Sequence, residues 1–284
     1  MTEAPFAVGP GFGLGWKAVH AALVPMWLGG LLMSCTEGGG GGGGGGGSED
    51  ELPDIDWEQL LNGAGDLGAL DAGVAAAVVL GLAVVLALVL AVFALRCFIH
   101  GGFLKLHEET LRTGQGSSSA LFDGGDRFLD MAVFKILKTV FLVSTFIVSA
   151  APGGAVLAMG VLQEDTTLMV AGGMALALLC IPACLYVTMG LALGEHAVVF
   201  DQRSGRQAVD RSWDLARGRR IEILVYLLVA GLLQIFATIV GVVMLCVGVL
   251  VTVPLAYSTW SVGFSRGYLL LTRDETETDA WAIA

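Results

Sequence analysis

The chain has 284 residues, of which 55% are hydrophobic and 14% charged, and its formal net charge is −11. Soluble domains carry roughly 25% charged residues, so a chain with a mean hydropathy of +0.77 has too few charges to cover a soluble surface. General disorder is excluded, because the chain has ample apolar area to bury. A nucleic-acid partner is also excluded, because there is no basic excess to neutralise phosphates. The composition indicates an all-α, integral membrane protein.

Long apolar tracts predict the spanning helices, since a helix needs roughly 20 apolar residues to cross the hydrocarbon core. The clearest tract is 72–95, which has no charged residue. The longest runs from residue 223 to residue 265 and is about twice too long for one span, so we expect it to turn back near residues 241–248. Within a bundle at 72–271, the predicted spans are 72–95, 139–162, 168–193, 223–241 and 249–270.

The segment 1–34 ends in a weaker apolar stretch, residues 18–34, which contains His20, Pro25 and two adjacent glycines. As a retained helix it brings the prediction to a polytopic bundle of about six transmembrane helices. The alternative is a signal-like segment, because Leu-Leu-Met-Ser precedes Cys35 as in bacterial lipoproteins. In that case residues 1–34 are cleaved off and Cys35 is lipidated.

The distribution of Lys and Arg predicts the orientation in the membrane. All 15 lie before the first span, in and beside the connections 96–138 and 203–220, or at the end of the last span. The segment between residues 34 and 72 has no Lys or Arg but carries nine acidic residues. Because cytoplasmic loops collect Lys and Arg, we predict a bacterial inner-membrane protein with cytoplasmic N- and C-termini. The acidic tail 272–284 is then cytoplasmic.

The predicted outside loop, residues 35–71, contains an unbroken run of ten glycines at 38–47. Such a low-complexity run has maximal backbone freedom and no side chain to bury, so we expect part of the loop to be disordered. The acidic residues that follow lack the spacing of a calcium loop. No metal site is predicted there.

Motifs for catalysis are lacking, and we predict that the chain is not an enzyme. The four histidines are scattered along the sequence, and neither H-E-x-x-H nor G-x-S-x-G occurs. We therefore predict no catalytic residue, no cofactor and no metal. An intramembrane enzyme would need facing ionisable residues, for which His107, Glu109 and Glu195 are the candidates.

The second cytoplasmic connection contains residues 208–218, Ala-Val-Asp-Arg-Ser-Trp-Asp-Leu-Ala-Arg-Gly, directly before an apolar helix. This segment resembles one found in a broad group of bacterial and archaeal multi-pass membrane proteins. The group includes the membrane domain attached to some glycerophosphoryl diester phosphodiesterases. The resemblance implies a similar pattern of spans over residues 75–270. It brings no catalytic residues, because the hydrolase chemistry of those proteins resides in a separate domain.

Helical spacing within the same segment places Val209, Trp213 and Ala216 on one face. An apolar face flanked by arginines predicts an amphipathic cytoplasmic helix at the membrane interface, and a second amphipathic segment is expected in the first connection. The candidates for contact with lipid headgroups are Arg211, Trp213, Arg217, Arg219 and Arg220.

The sequence leaves two interpretations of function open. The first is a non-enzymatic accessory protein that organises an unidentified membrane-protein partner in contact with membrane lipids. The second is a transporter or lipid-handling protein, suggested by Pro152 and Pro182 within neighbouring spans and by a weak span–loop–span repeat.

Overall fold

The computed structural model describes residues 5–37, 72–244 and 248–272, with side chains described at 5–34, 77–244 and 248–272. These residues are almost entirely helical and contain no strand, which confirms the predicted all-α class. A 3-10 helix (Ser118–Arg127) precedes α4. The α-helices are α1 (Val8–Ala21), α2 (Leu23–Glu37), α3 (Ala72–Thr113), α4 (Phe128–Leu162), α5 (Thr166–Leu191), α6 (Gly194–Val199), α7 (Gly205–Ala216), α8 (Arg220–Val243) and α9 (Val249–Thr272).

The chain divides into two compact units, one comprising Met1–Ser34 with Cys97–Ala284 and the other Cys35–Arg96. In the smaller unit, the described side chains of α3 are exposed from residue 77 to residue 92. In the larger unit, α4 packs along α5, and α8 packs along α9. The short helix α7 contacts α4, α5 and α6. The α4–α5 and α8–α9 hairpins and the short helix α7 thus position the residues of the candidate site.

Several helical stretches are long and apolar enough to cross a membrane. Among the described residues there are four of them, or five if α1 and α2 count together as one bent span. The predicted number of six is therefore not confirmed. Helix α9, which contains the whole predicted span 249–270, is not among them, because hydroxyl-bearing residues and Arg266 interrupt its apolar sequence. The four stretches are Ala77–Thr113, Ser118–Leu162, Thr166–Val199 and Arg220–Val243.

The first apolar segment differs from the single helix expected at 18–34. Its two helices, α1 and α2, meet at an angle of 112°. Pro25 explains the break, because in a continuous helix it would remove a backbone hydrogen bond and clash with the preceding turn. With the break at Ala22, the same proline falls in the first turn of α2, where no backbone donor is needed.

Glycines let the bent pair contact α9 at backbone distance. A Cβ atom on Gly15 would lie 2.9 Å from the carbonyl carbon of Thr259, and one on Gly30 would lie 2.6 Å from the Ser258 hydroxyl oxygen. The Ser258 hydroxyl also donates a hydrogen bond of 2.7 Å to the backbone oxygen of Met26. The α1–α2 pair is therefore packed against α9 through contacts that larger residues would prevent.

Three predictions fall on parts of the chain outside the described residues. These are the glycine-rich loop with its disorder, the lipidation of the Cys35 side chain, and the acidic tail from residue 273. They stay predictions.

Candidate functional site

Helix α7 is the amphipathic helix predicted in the second connection, and it is fixed to the hairpin formed by α4 and α5. Its start is capped, because the backbone N–H of Ser204 donates to the side-chain oxygen of Gln207 at 3.4 Å. The Ser212 hydroxyl, fully buried, donates a hydrogen bond of 2.7 Å to the backbone oxygen of Gly190 on α5. The other buried residues of α7 are Gly205, Ala208, Val209 and Ala216.

Trp213 reaches α5 through the space left by a glycine. A Cβ atom on Gly190 would lie 2.8 Å from the indole ring, so a larger residue there would displace the tryptophan. The Trp213 ring centroid is 5.7 Å from that of Tyr186, which lies one turn earlier on α5. Two aromatic rings from different helices therefore meet beside the start of α8.

Arg220, the first residue of α8, packs against both rings. Its guanidinium carbon is 3.7 Å from the Tyr186 ring centroid and 5.1 Å from that of Trp213. Such cation–π contacts hold a guanidinium in a fixed position without neutralising its charge. Among the described residues, no carboxylate forms an ion pair with Arg220, and its buried Nε atom has no hydrogen-bond partner. The positive charge of Arg220 is thus oriented but not compensated.

These residues form a pocket with a volume of about 450 Å³. Gly218 adopts a positive φ of 83°, a conformation that suits glycine, and so turns the chain sharply between α7 and α8. The first turn of α8 also presents backbone N–H groups without helical partners, which favour an anion. The pocket is lined by Tyr186, Trp213, Arg217, Gly218, Arg220 and Ile221.

The structure brings three of the five predicted headgroup residues together. Trp213, Arg217 and Arg220 line the pocket, whereas Arg211 and Arg219 do not. Arg211 lies 3.5 Å from a carboxylate oxygen of Asp201, and Arg219 lies 3.8 Å from one of Glu222. Both of these arginines therefore face carboxylates of this chain, a pairing that helix periodicity alone did not reveal.

Three pocket residues, Tyr186, Gly218 and Ile221, were not among the predicted headgroup residues. Tyr186 lies near the C-terminal end of the predicted span 168–193, and tyrosine is enriched at membrane boundaries. That enrichment was an available signal. The sequence did not show that Tyr186 lies close to Trp213, because the two residues lie on different helices.

A buried charge cluster lies where α3, α4 and α6 meet. A carboxylate oxygen of Glu195 is 2.9 Å from Nε2 of His100, and the other is 3.1 Å from Nζ of Lys138. Lys135 Nζ is 3.9 Å from the same carboxylate and 3.3 Å from His100 Nδ1. Because an ammonium group can only donate, His100 Nδ1 must accept and its Nε2–H must donate to Glu195. The Glu195 carboxylate therefore contacts three basic groups.

The other two described core histidines meet at a serine of α9. The Ser265 hydroxyl oxygen is 3.0 Å from His107 Nδ1 and 3.1 Å from His196 Nε2. All three side chains are buried, and the second nitrogen of each imidazole has no hydrogen-bond partner among the described residues. These contacts join α3, α6 and α9.

The three candidates for an intramembrane enzyme have different hydrogen-bond partners. Glu109 accepts a hydrogen bond of 3.2 Å from the backbone of Ser117, while His107 and Glu195 have the separate partners described above. Within the described parts of the chain, no group of three His, Cys, Asp or Glu residues is arranged to hold a metal ion.

Comparison with protein families, curated proteins and solved structures found no match to this chain. The resemblance seen in residues 208–218 therefore stays a prediction. The pocket that Arg220 lines is the feature that indicates a function.

Proposed function

We propose that this chain is a multi-pass membrane protein that handles lipids by binding an anionic headgroup in the pocket formed by α5, α7 and the start of α8. The observation that carries the proposal is the guanidinium of Arg220, which is held by Tyr186 and Trp213 and has no carboxylate partner in the part of the chain that the structure describes. Binding is non-covalent, without a cofactor, a metal or catalysis. The organising role with an unidentified protein partner stays a prediction, because no described surface favours a particular partner.

The exposed apolar side chains support the membrane location. Leu82 on α3 is 70% exposed, Val148 on α4 is 75% exposed and Leu178 on α5 is 73% exposed. Exposed apolar surface on this scale is costly in water, whereas hydrocarbon covers it without cost. The helical backbone satisfies its own hydrogen bonds, as the bilayer requires.

The charge on the pocket supports an anionic ligand. Arg217 and Arg220 contribute two positive charges, and the N-terminus of α8 adds the positive end of a helix dipole. Guanidinium groups bind phosphate oxygens through paired N–H donors. Ile221, which is 78% exposed, continues the pocket wall as an apolar surface. A phosphate beside an apolar surface is the chemistry of a phospholipid.

Replacing Arg220 with glutamine is expected to weaken the binding of phosphatidylglycerol about tenfold, the effect of losing one charge-assisted hydrogen bond. Binding can be measured by native mass spectrometry of the purified protein, with phosphatidylcholine as the reference lipid. Arg206→Gln is the matched control, because Arg206 is an exposed arginine of α7 that does not line the pocket. Equal effects of the two substitutions would contradict the proposal.

We also propose that the pocket faces the cytoplasm, since the connections that surround it carry most of the Lys and Arg. A phosphatase reporter that is active only outside the inner membrane is then expected to be active within residues 38–47. The same reporter inserted between residues 115 and 116 is expected to be inactive. The reverse pattern of activity would refute the bacterial inner-membrane topology with cytoplasmic termini.

A further inference from the structure

Helix α8 presents two opposite stripes along its length. One stripe is buried against the rest of the larger unit and consists of Ile223, Tyr226, Ala230, Ala237 and Gly241. The other is exposed and apolar. With 3.6 residues per turn, its members lie within about 40° of the direction of Ile221, on the side away from the buried stripe. It consists of Ile221, Val225, Leu228, Leu232, Ile235 and Ile239, which are between 46% and 78% exposed.

The exposed stripe begins inside the pocket, because Ile221 is one of the residues that line it. From Ile221 to Leu232 the stripe rises about 16 Å along the helix axis. That length is about half of a hydrocarbon core that is roughly 30 Å thick, and so about the depth of one leaflet. A chain that starts at the pocket and ends near Leu232 therefore has the reach of one acyl chain.

Helix α5 supplies a second apolar wall that also starts at the pocket. Tyr186 lines the pocket, and Pro182 and Leu179 follow it on the same helix face, one and two turns away. All three are exposed. Helices α5 and α8 belong to different hairpins and are in contact. The pocket thus opens onto apolar walls from two hairpins.

We infer that the ligand of this pocket is a diacyl glycerophospholipid taken from the bilayer, with an acyl chain lying along the exposed stripe of α8. The inference rests on the proposed headgroup site. It commits to a lipid rather than to a water-soluble phosphate ester, because the apolar stripe continues directly from the two arginines. Charge fixes the headgroup at Arg220, and the stripe from Val225 to Leu232 receives the chain.

Photo-crosslinking tests the path of the chain. Phosphatidylglycerol that carries a diazirine in the middle of one acyl chain is incorporated into phosphatidylcholine nanodiscs with the full-length protein, and labelled peptides are mapped after irradiation. Labelling is expected to be concentrated at Val225, Leu228 and Leu232, severalfold above Ile147 of α4. Ile147 is 62% exposed and reports contact with bulk lipid. Arg220→Gln is expected to lower the α8 labelling to the level of Ile147.

The outcomes separate this inference from the proposed function. If phosphatidylglycerol binding depends on Arg220 but α8 is labelled no more than α4, the acyl-chain path is wrong and the headgroup site stands. If binding does not depend on Arg220, both proposals fail. Equal affinity for glycerol 3-phosphate and phosphatidylglycerol would also overturn the inference, because the acyl chains would then contribute nothing.

Discussion

Replacing Glu195 with glutamine is expected to destabilise the folded chain by about 3–5 kcal/mol, the cost of leaving buried charges without their partner. The Glu195 side chain is only 14% exposed, and those of Lys135 and His100 are 9% and 8% exposed. Glutamine keeps the size and one oxygen acceptor but removes the negative charge that Lys135 and Lys138 share. Their ammonium groups would then lie close together, that of Lys135 buried and that of Lys138 partly exposed.

The free energy of unfolding can be measured by denaturant titration in detergent, with helicity as the signal. Asp126→Asn is the matched control, because Asp126 is 80% exposed and also pairs with a lysine, Lys105, at 3.0 Å. Exposed pairs contribute little to stability, so this variant is expected to unfold like the wild type. Similar stability of Glu195→Gln and Asp126→Asn would show that the cluster does not hold the helices together.

Replacing Gly15 with valine is expected to detach α1 from α9 and to lower the free energy of unfolding by about 1–3 kcal/mol or more, as overpacking does. The first added atom already lies 2.9 Å from the carbonyl carbon of Thr259 and 3.3 Å from its Cα. These are backbone atoms within a helix, so they cannot move aside by a change of rotamer.

Gly13→Val provides the comparison on the same helix, because a Cβ on Gly13 meets no atom of the described residues within 4 Å. Valine is also a slightly better helix former than glycine, so this variant is expected to be neutral or mildly stabilising. The same denaturant titration measures both variants. If Gly13→Val proved as destabilising as Gly15→Val, close packing of α1 on α9 would not be the cause.

The helical class was predictable from the sequence because long apolar tracts with few charges have few other structures open to them. The number of spans was less predictable, because it depends on local chemistry within apolar segments. Pro25 divides the first segment into two helices at 112°, and the hydroxyl groups of α9 reduce its apolar character. Both features are visible in the sequence. Their effect on the number of spans depends on which neighbouring helix packs against the polar groups.

The candidate site was predictable in part for a similar reason. Helical periodicity located Trp213, Arg217 and Arg220, since these lie within or just after one short helix. It did not distinguish them from Arg211 and Arg219, whose partners are carboxylates that only the fold identifies. Two of the scattered histidines, His107 and His196, became neighbours in the same way, through packing between distant helices.

The hydroxyl group of Ser265 determines which ring nitrogens of the two neighbouring imidazoles carry protons. A serine has one proton, so it can donate to only one of His107 and His196, and the other imidazole must donate to it. When both rings are neutral, they are therefore the same tautomer, both Nε2–H or both Nδ1–H, because the hydroxyl contacts Nδ1 of His107 but Nε2 of His196. Their two outer nitrogens differ as one bare lone pair and one N–H. Reversing both hydrogen bonds would exchange these characters only together with loss of the proton on the outer N–H of one ring and gain of a proton at the bare outer nitrogen of the other, and α3, α6 and α9 would stay joined as before.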